Sequence, residues 1–107
     1  MQFNTLPPEA LAPIRDRFLV ALRDRESRVQ HAVATASTGE PAVLLDDIHK
    51  IRGVAPMLGM ARLGALAADA EDRLEAWLNA SFAPPRMPDD LQSCLRALHH
   101  AMREALD

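Results

Sequence analysis

The sequence holds a single cysteine, Cys94, no tyrosine, and only 4% aromatic residues in 107 positions. One cysteine excludes an intrachain disulfide and points to a reducing compartment. So few aromatics leave no stacking platform for bases or sugars. A formal net charge of -3 argues against a partner held through its phosphate backbone, so no nucleic acid is expected. No apolar run approaches the roughly 18–20 residues of a membrane span, and Met1–Ala10 lacks the basic flank and apolar stretch of a secretory signal. A cytoplasmic chain without a membrane segment is therefore expected. Glycine is scarce too, at four residues, and none falls in a phosphate-cradling loop, which excludes an enzyme with its own nucleotide site. Lysine occurs once, at Lys50, against eleven arginines, and alanine is abundant; that bias matches a GC-rich bacterial genome.

What is present favours helix. Thr38-Gly39-Glu40-Pro41, Gly59 and the proline-rich stretch Ser81–Pro88 divide alanine- and leucine-rich segments that show no period-two alternation. The first segment, from about Pro8 to Ala36, aligns Leu11, Ile14, Phe18, Leu22, Val29 and Val33 on one stripe, with Arg25 as a defect. Pro13 is expected to separate a short entry turn from the main helix. A second helix, from about Ala42, aligns Leu44, Ile48, Ile51, Ala55 and Leu58. A third, Ala61–Ala80, turns Leu63, Leu66, Ala67, Ala70, Leu74 and Trp77 inward. A fourth begins near Pro88-Asp89-Asp90 and aligns Leu91, Leu95, Leu98, Met102 and Leu106. The expected fold is all-α, an antiparallel up-down four-helix bundle in one domain spanning 1–107.

The informative residues face away from that core. His49 lies about 135° from the centre of the apolar stripe of helix two, so it should stand in solvent. Leu45, Arg52, Gly53 and Pro56 lie within about 60° of it. An exposed imidazole is substantially neutral at pH 7, which leaves one ring nitrogen free as a nucleophile. Arg52 and Lys50 are expected to flank the ring, to disfavour its protonation and to hold the oxygens of a transferred phosphoryl group. Gly53 is expected to give the imidazole steric clearance, since a mid-helix glycine costs about 1 kcal/mol against alanine. Pro56 should end or kink helix two just beyond the site. Asp47 sits nearer the buried side than an acid should, with Arg25 or Arg28 as its expected partner. Gly59 fits a left-handed helix cap.

His49-Lys50-Ile51-Arg52-Gly53, followed by Leu58-Gly59, Leu63, Leu66 and Glu71, resembles the histidine-containing phosphotransfer (HPt) domain family. His49, Arg52, Gly53 and Gly59 match its pattern position for position, while Val54 and Pro56 depart from the small residues usual there. The resemblance implies a bacterial phosphorelay carrier rather than an enzyme. His49 would accept a phosphoryl group from a receiver-domain aspartate of a hybrid histidine kinase and pass it to the receiver of a response regulator. It also implies that Mg²⁺ comes from the receiver and that the chain binds no cofactor itself. Docking is expected to use Leu45, Pro56 and Met57 beside the histidine.

Two other readings share the fold. A non-phosphorylated adaptor that blocks a receiver or kinase would keep its activity without the imidazole. A kinase-like dimerisation module would be dimeric, where the carrier is expected to be a monomer, and it asks for an acid directly after the histidine, where Lys50 stands. His99 and His100 point about 100° apart and so do not chelate one ion as an i, i+4 pair would. No metal site is expected. Cys94 is expected to be buried and inert, Trp77 to fill the core, and Met57 and Met60 to make core or cap contacts.

Overall fold

Strong helix formers punctuated by glycine and proline give four helices in the computed structural model, which describes residues 7–80 and 86–107. They are α1 (Pro8–Thr35), α2 (Pro41–Val54), α3 (Ala61–Leu78) and α4 (Asp89–Leu106), with a 3₁₀ turn, Ala55–Leu58, between α2 and α3. No strand occurs among the described residues. The break at Ser81–Pro88 falls mostly on 81–85, outside the described residues. Contacts run in opposite order along each consecutive pair of helices. Arg15 and Arg28 of α1 reach Leu58 and Asp47, Pro56 and Arg52 meet Gly64 and Glu71, and Asp69 and Arg73 of α3 meet Cys94 and Asp90. That order is the one an up-and-down bundle requires.

The expected stripes form one core. Phe18, Leu22 and Val29 from α1, Leu44, Ile48, Ile51, Ala55 and Leu58, then Leu63, Ala67, Ala70 and Leu74, and Leu91, Leu95, Leu98 and Met102 are all buried. Leu11, Ile14, Val33, Leu66, Trp77 and Leu106 pack against it half-exposed, at the ends and edges of their helices. Trp77 is thus a boundary residue rather than a core filler.

Two local expectations change. No separate entry turn precedes α1: the helix begins at Pro8 and passes through Pro13 unbroken. Pro13 lies near the start of the helix, where its missing N–H leaves only the Glu9 carbonyl without an intrahelical donor, and that end of the helix can hand a carbonyl to water. Cys94 is half-buried on the α3-facing flank of α4 rather than enclosed. Burial and the Asp69 carboxylate, which accepts its Sγ–H at 2.9 Å, push the thiol up to about 11, so it stays protonated and inert.

Pro56 acts where expected. The α-helical pattern of α2 stops at Val54, the 3₁₀ turn takes over, and Gly59 closes it in the left-handed region at φ 80°. The proline ring then packs on Gly64 of α3, where an added Cβ would stand 2.5 Å from Cγ and 2.8 Å from Cδ. A rigid ring does not swing aside as a flexible side chain would. Gly64→Ala should therefore destabilise the bundle by about 1–3 kcal/mol, despite alanine's advantage of ~1 kcal/mol in a helix. In a Pro56→Ala background the same change should cost little. Urea unfolding of the double-mutant cycle measures this coupling, and equal costs in both backgrounds would remove the contact as the cause.

Candidate functional site

α2 carries the site because its two faces serve different ends. One face seals the core through Leu44, Ile48 and Ile51; the other holds His49 at mid-helix with its side chain 70% exposed. The mid-helix backbone is fixed by its own hydrogen bonds, so the imidazole is presented from a rigid base. Asp47, on the buried side of the same turn, adds a tie between helices. Arg28 donates to it from Nε (2.6 Å) and Nη2 (2.9 Å), and Arg25 Nε lies 3.7 Å away. Both candidate partners of Asp47 are thus engaged, and the Arg25 defect in the α1 stripe is a guanidinium turned towards a carboxylate.

The residue that organises the imidazole comes from α3. Glu71 is buried at 6% exposure, yet its two oxygens face the site: Oε2 lies 2.8 Å from His49 Nδ1, and Oε1 accepts Arg52 Nη1 at 2.8 Å. Burial pulls the Glu71 carboxyl upward. The hydrogen bonds from Arg52 and His49 outweigh it and hold the group below its ordinary value. Glu71 is therefore ionised at neutral pH and can only accept, which places a proton on Nδ1 and leaves the Nε2 lone pair for an incoming group.

The supporting cations sit differently from expectation. Arg52 does not stand free beside the ring: it is held by Glu71 and by Asp72 Oδ1 at 3.3 Å. Lys50 pairs with Asp46 at 2.9 Å, one turn back along α2. Two acids on α3 and one on α2 thus answer charges that in the bare sequence looked directed at the histidine. Gly53 also changes meaning. A Cβ there meets nothing within 4 Å, so the glycine does not relieve crowding of the imidazole inside the chain; the space it leaves opens outward. Of the expected docking residues, Met57 is 43% exposed and Pro56 is exposed, while Leu45 is half-buried against the core.

The remaining histidines are apart from this site. His99 Nε2 lies 2.9 Å from Glu26 of α1, and His100 lies 3.6 Å from Glu104. Among the described residues no cluster of three or more His, Cys, Asp or Glu side chains has the geometry to hold a metal ion. No described helix is long and apolar enough to cross a membrane.

Glu71 is the residue whose role sequence reasoning missed, although a signal was there. It falls on the inward stripe of α3, four residues after Ala67 and three before Leu74, where an acid needs a partner. Comparison with curated proteins and with solved structures gave no match. A family model described as the Hpt domain matches residues 13–105, nearly the whole chain. With four helices, an exposed mid-helix histidine and that match, the chain belongs to the Hpt domain family, whose members carry phosphoryl groups in phosphorelay signalling.

Proposed function

We propose that this chain is a phosphoryl carrier of a bacterial, cytoplasmic multistep phosphorelay, acting as a monomer, with His49 as the phosphoacceptor. The observation that carries this reading is the His49–Glu71 hydrogen bond, which commits Nδ1 as donor and leaves an exposed Nε2 lone pair. In the forward step Nε2 attacks the phosphorus of a receiver's aspartyl phosphate. The N–P bond forms, the aspartyl O–P bond breaks, and its electron pair stays on the receiver carboxylate. The phosphorylated ring is cationic, and the Glu71 carboxylate at Nδ1 offsets that charge as it develops. A second receiver aspartate reverses the step.

The acids nearest His49 are already committed to cations: Glu71 and Asp72 to Arg52, Asp46 to Lys50. These pairings support the reading that Mg²⁺ is supplied by the acidic pocket of the receiver. Gly53, with open space above it, lets the receiver's backbone approach the ring.

The test uses receiver domains charged with acetyl phosphate and mixed with this protein. Mass spectrometry and phosphorus–nitrogen NMR should find one phosphoryl group, on Nε2 of His49. Label on another residue, or no uptake from any member of a broad receiver panel, would overturn the reading.

A further inference from the structure

The two cations that follow His49 on α2 are both engaged, and two of the acids that engage them stand in solvent. Lys50 Nζ lies 2.9 Å from Asp46 Oδ2. Arg52 Nη1 donates to Glu71 Oε1 at 2.8 Å and to Asp72 Oδ1 at 3.3 Å. Glu71 stands apart from the other two acids, because it is buried and holds the imidazole as well as Arg52. Asp46 and Asp72 each keep more than half of the side chain in solvent. Among the described residues they form ion pairs only with Lys50 and Arg52.

A phosphoryl group on His49 changes what these two acids do. It brings about two negative charges to Nε2, which cations stabilise and nearby carboxylates oppose. The charge of the ring reaches Asp46. The hydrogen bond from Lys50 is the main cause holding the Asp46 carboxyl below its ordinary value; desolvation opposes it, and the charges of Lys50, Arg25 and His49 add to it. A carboxylate stabilised by positive charge on the ring is destabilised, through the same coupling, by negative charge there. Asp72 acts through Arg52. Its exposed contact at 3.3 Å is weak enough to exchange for another anion, so it competes with the phosphoryl oxygens for that guanidinium.

We propose that Asp46 and Asp72 set the phosphoryl-transfer equilibrium of the carrier, by keeping Lys50 and Arg52 from the phosphoryl group and by opposing its charge. Each acid makes the phosphohistidine less stable relative to the receiver's aspartyl phosphate. The bonds exchanged stay the same. Forward, the Nε2–P bond forms as the aspartyl O–P bond breaks, and the electron pair stays on the receiver carboxylate; the return step reverses each change. The acids shift only where that exchange comes to rest. With them the phosphoryl group on His49 passes on readily, and without them the carrier becomes a sink. They are positioning residues, since neither touches the reacting atoms. This rests on the phosphorelay reading and adds to it the residues that govern net flow through His49.

The experiment mixes the protein with one charged receiver, chosen because it transfers to the parent, and follows the label until its distribution is constant. Starting instead from the phosphorylated carrier must reach the same distribution. For separated partners the ratio of the two phosphorylated forms does not depend on how tightly they dock, so it reports the bond energies and not the interface. At ~20 mM salt Asp72→Asn should move the ratio towards phosphohistidine about threefold. Combined with Asp46→Asn the shift should reach about tenfold, as effects at separate sites multiply. Both gains should shrink at ~500 mM salt, where charges are screened over about 4 Å. Glu104→Gln removes the same charge from α4, which packs on α1 and α3 and where Glu104 meets Arg62 and His100. That variant should keep the parental ratio. If Asp72→Asn and the double variant alter only the rates, or shift the ratio no more than Glu104→Gln, the inference fails and the carrier reading stands. If no receiver charges the parent at all, both fail together.

Discussion

Replacing His49 with glutamine should reduce phosphoryl uptake from a charged receiver to background and leave folding stability within about 0.5 kcal/mol of the parent. The two halves of this result have separate causes. Uptake fails because an amide nitrogen delocalises its lone pair into the carbonyl and offers no nucleophile. Stability survives because the side chain is 70% exposed, so little core is lost. The amide N–H₂ can also donate to Glu71 Oε2 in place of Nδ1, and Arg52 still satisfies Oε1. Alanine would be a poorer choice, since it leaves one oxygen of a buried carboxylate without its donor. The other histidines provide an internal control. His99 meets a buried acid, Glu26, that Arg103 also holds, but its side chain is only 21% exposed, while the exposed His31 and His100 have no buried acid beside them among the described residues. Label incorporation and urea unfolding measure the two halves. A glutamine variant that takes up label as well as the parent would remove His49 as the acceptor.

How much of this was readable in the residues differs between the frame and the site. Leu44, Ile48, Ile51, Ala55 and Leu58 recur at helical spacing, and all five are buried, so periodicity alone located the face of α2 that points inward and therefore the face that bears His49. Pro56 marked the end of the helix because a missing N–H acts locally, whatever the tertiary context. Pro13 misled for the complementary reason: near a helix start the same missing N–H has almost nothing to break. The charges at the site were readable from α2 by itself only in part. Lys50 has its partner four residues back on α2, at Asp46, a spacing visible in the sequence, whereas Arg52 is held by Glu71, nineteen residues away on a neighbouring helix. An ion pair between helices depends on the depth at which they pack, and one sequence does not encode that in any local pattern. Asp47 shows the converse. Its misplaced charge announced that a partner existed, and the stripe defect at Arg25 supplied one candidate, but the two-pronged grip came from Arg28.

Glu71→Gln should slow phosphoryl transfer about 10- to 100-fold, the range seen when a partner that orients a functional imidazole is lost. The substitution keeps the shape of the side chain and changes only which atoms accept. Arg52 offers donors alone, so the glutamine carbonyl turns towards it and the amide N–H₂ faces His49. Nδ1 must then accept, the ring proton moves to Nε2, and the lone pair that attacks phosphorus is blocked. Nitrogen NMR of the imidazole reads that tautomer change directly, which a merely structural role for Glu71 would not produce. Stability should change in a pH-dependent way. In the folded chain burial pulls the Glu71 carboxyl up, but hydrogen bonds from Arg52 and His49 hold it below its ordinary value of 4.5. A carboxyl depressed on folding stabilises the native state above its unfolded-state value, and the contribution is lost as pH falls through the folded one. The stability gap between parent and Glu71→Gln should therefore be widest above about pH 5 and close in stronger acid. A variant that keeps the proton on Nδ1 and transfers at the parental rate would take Glu71 out of the mechanism and leave the exposed imidazole to act alone.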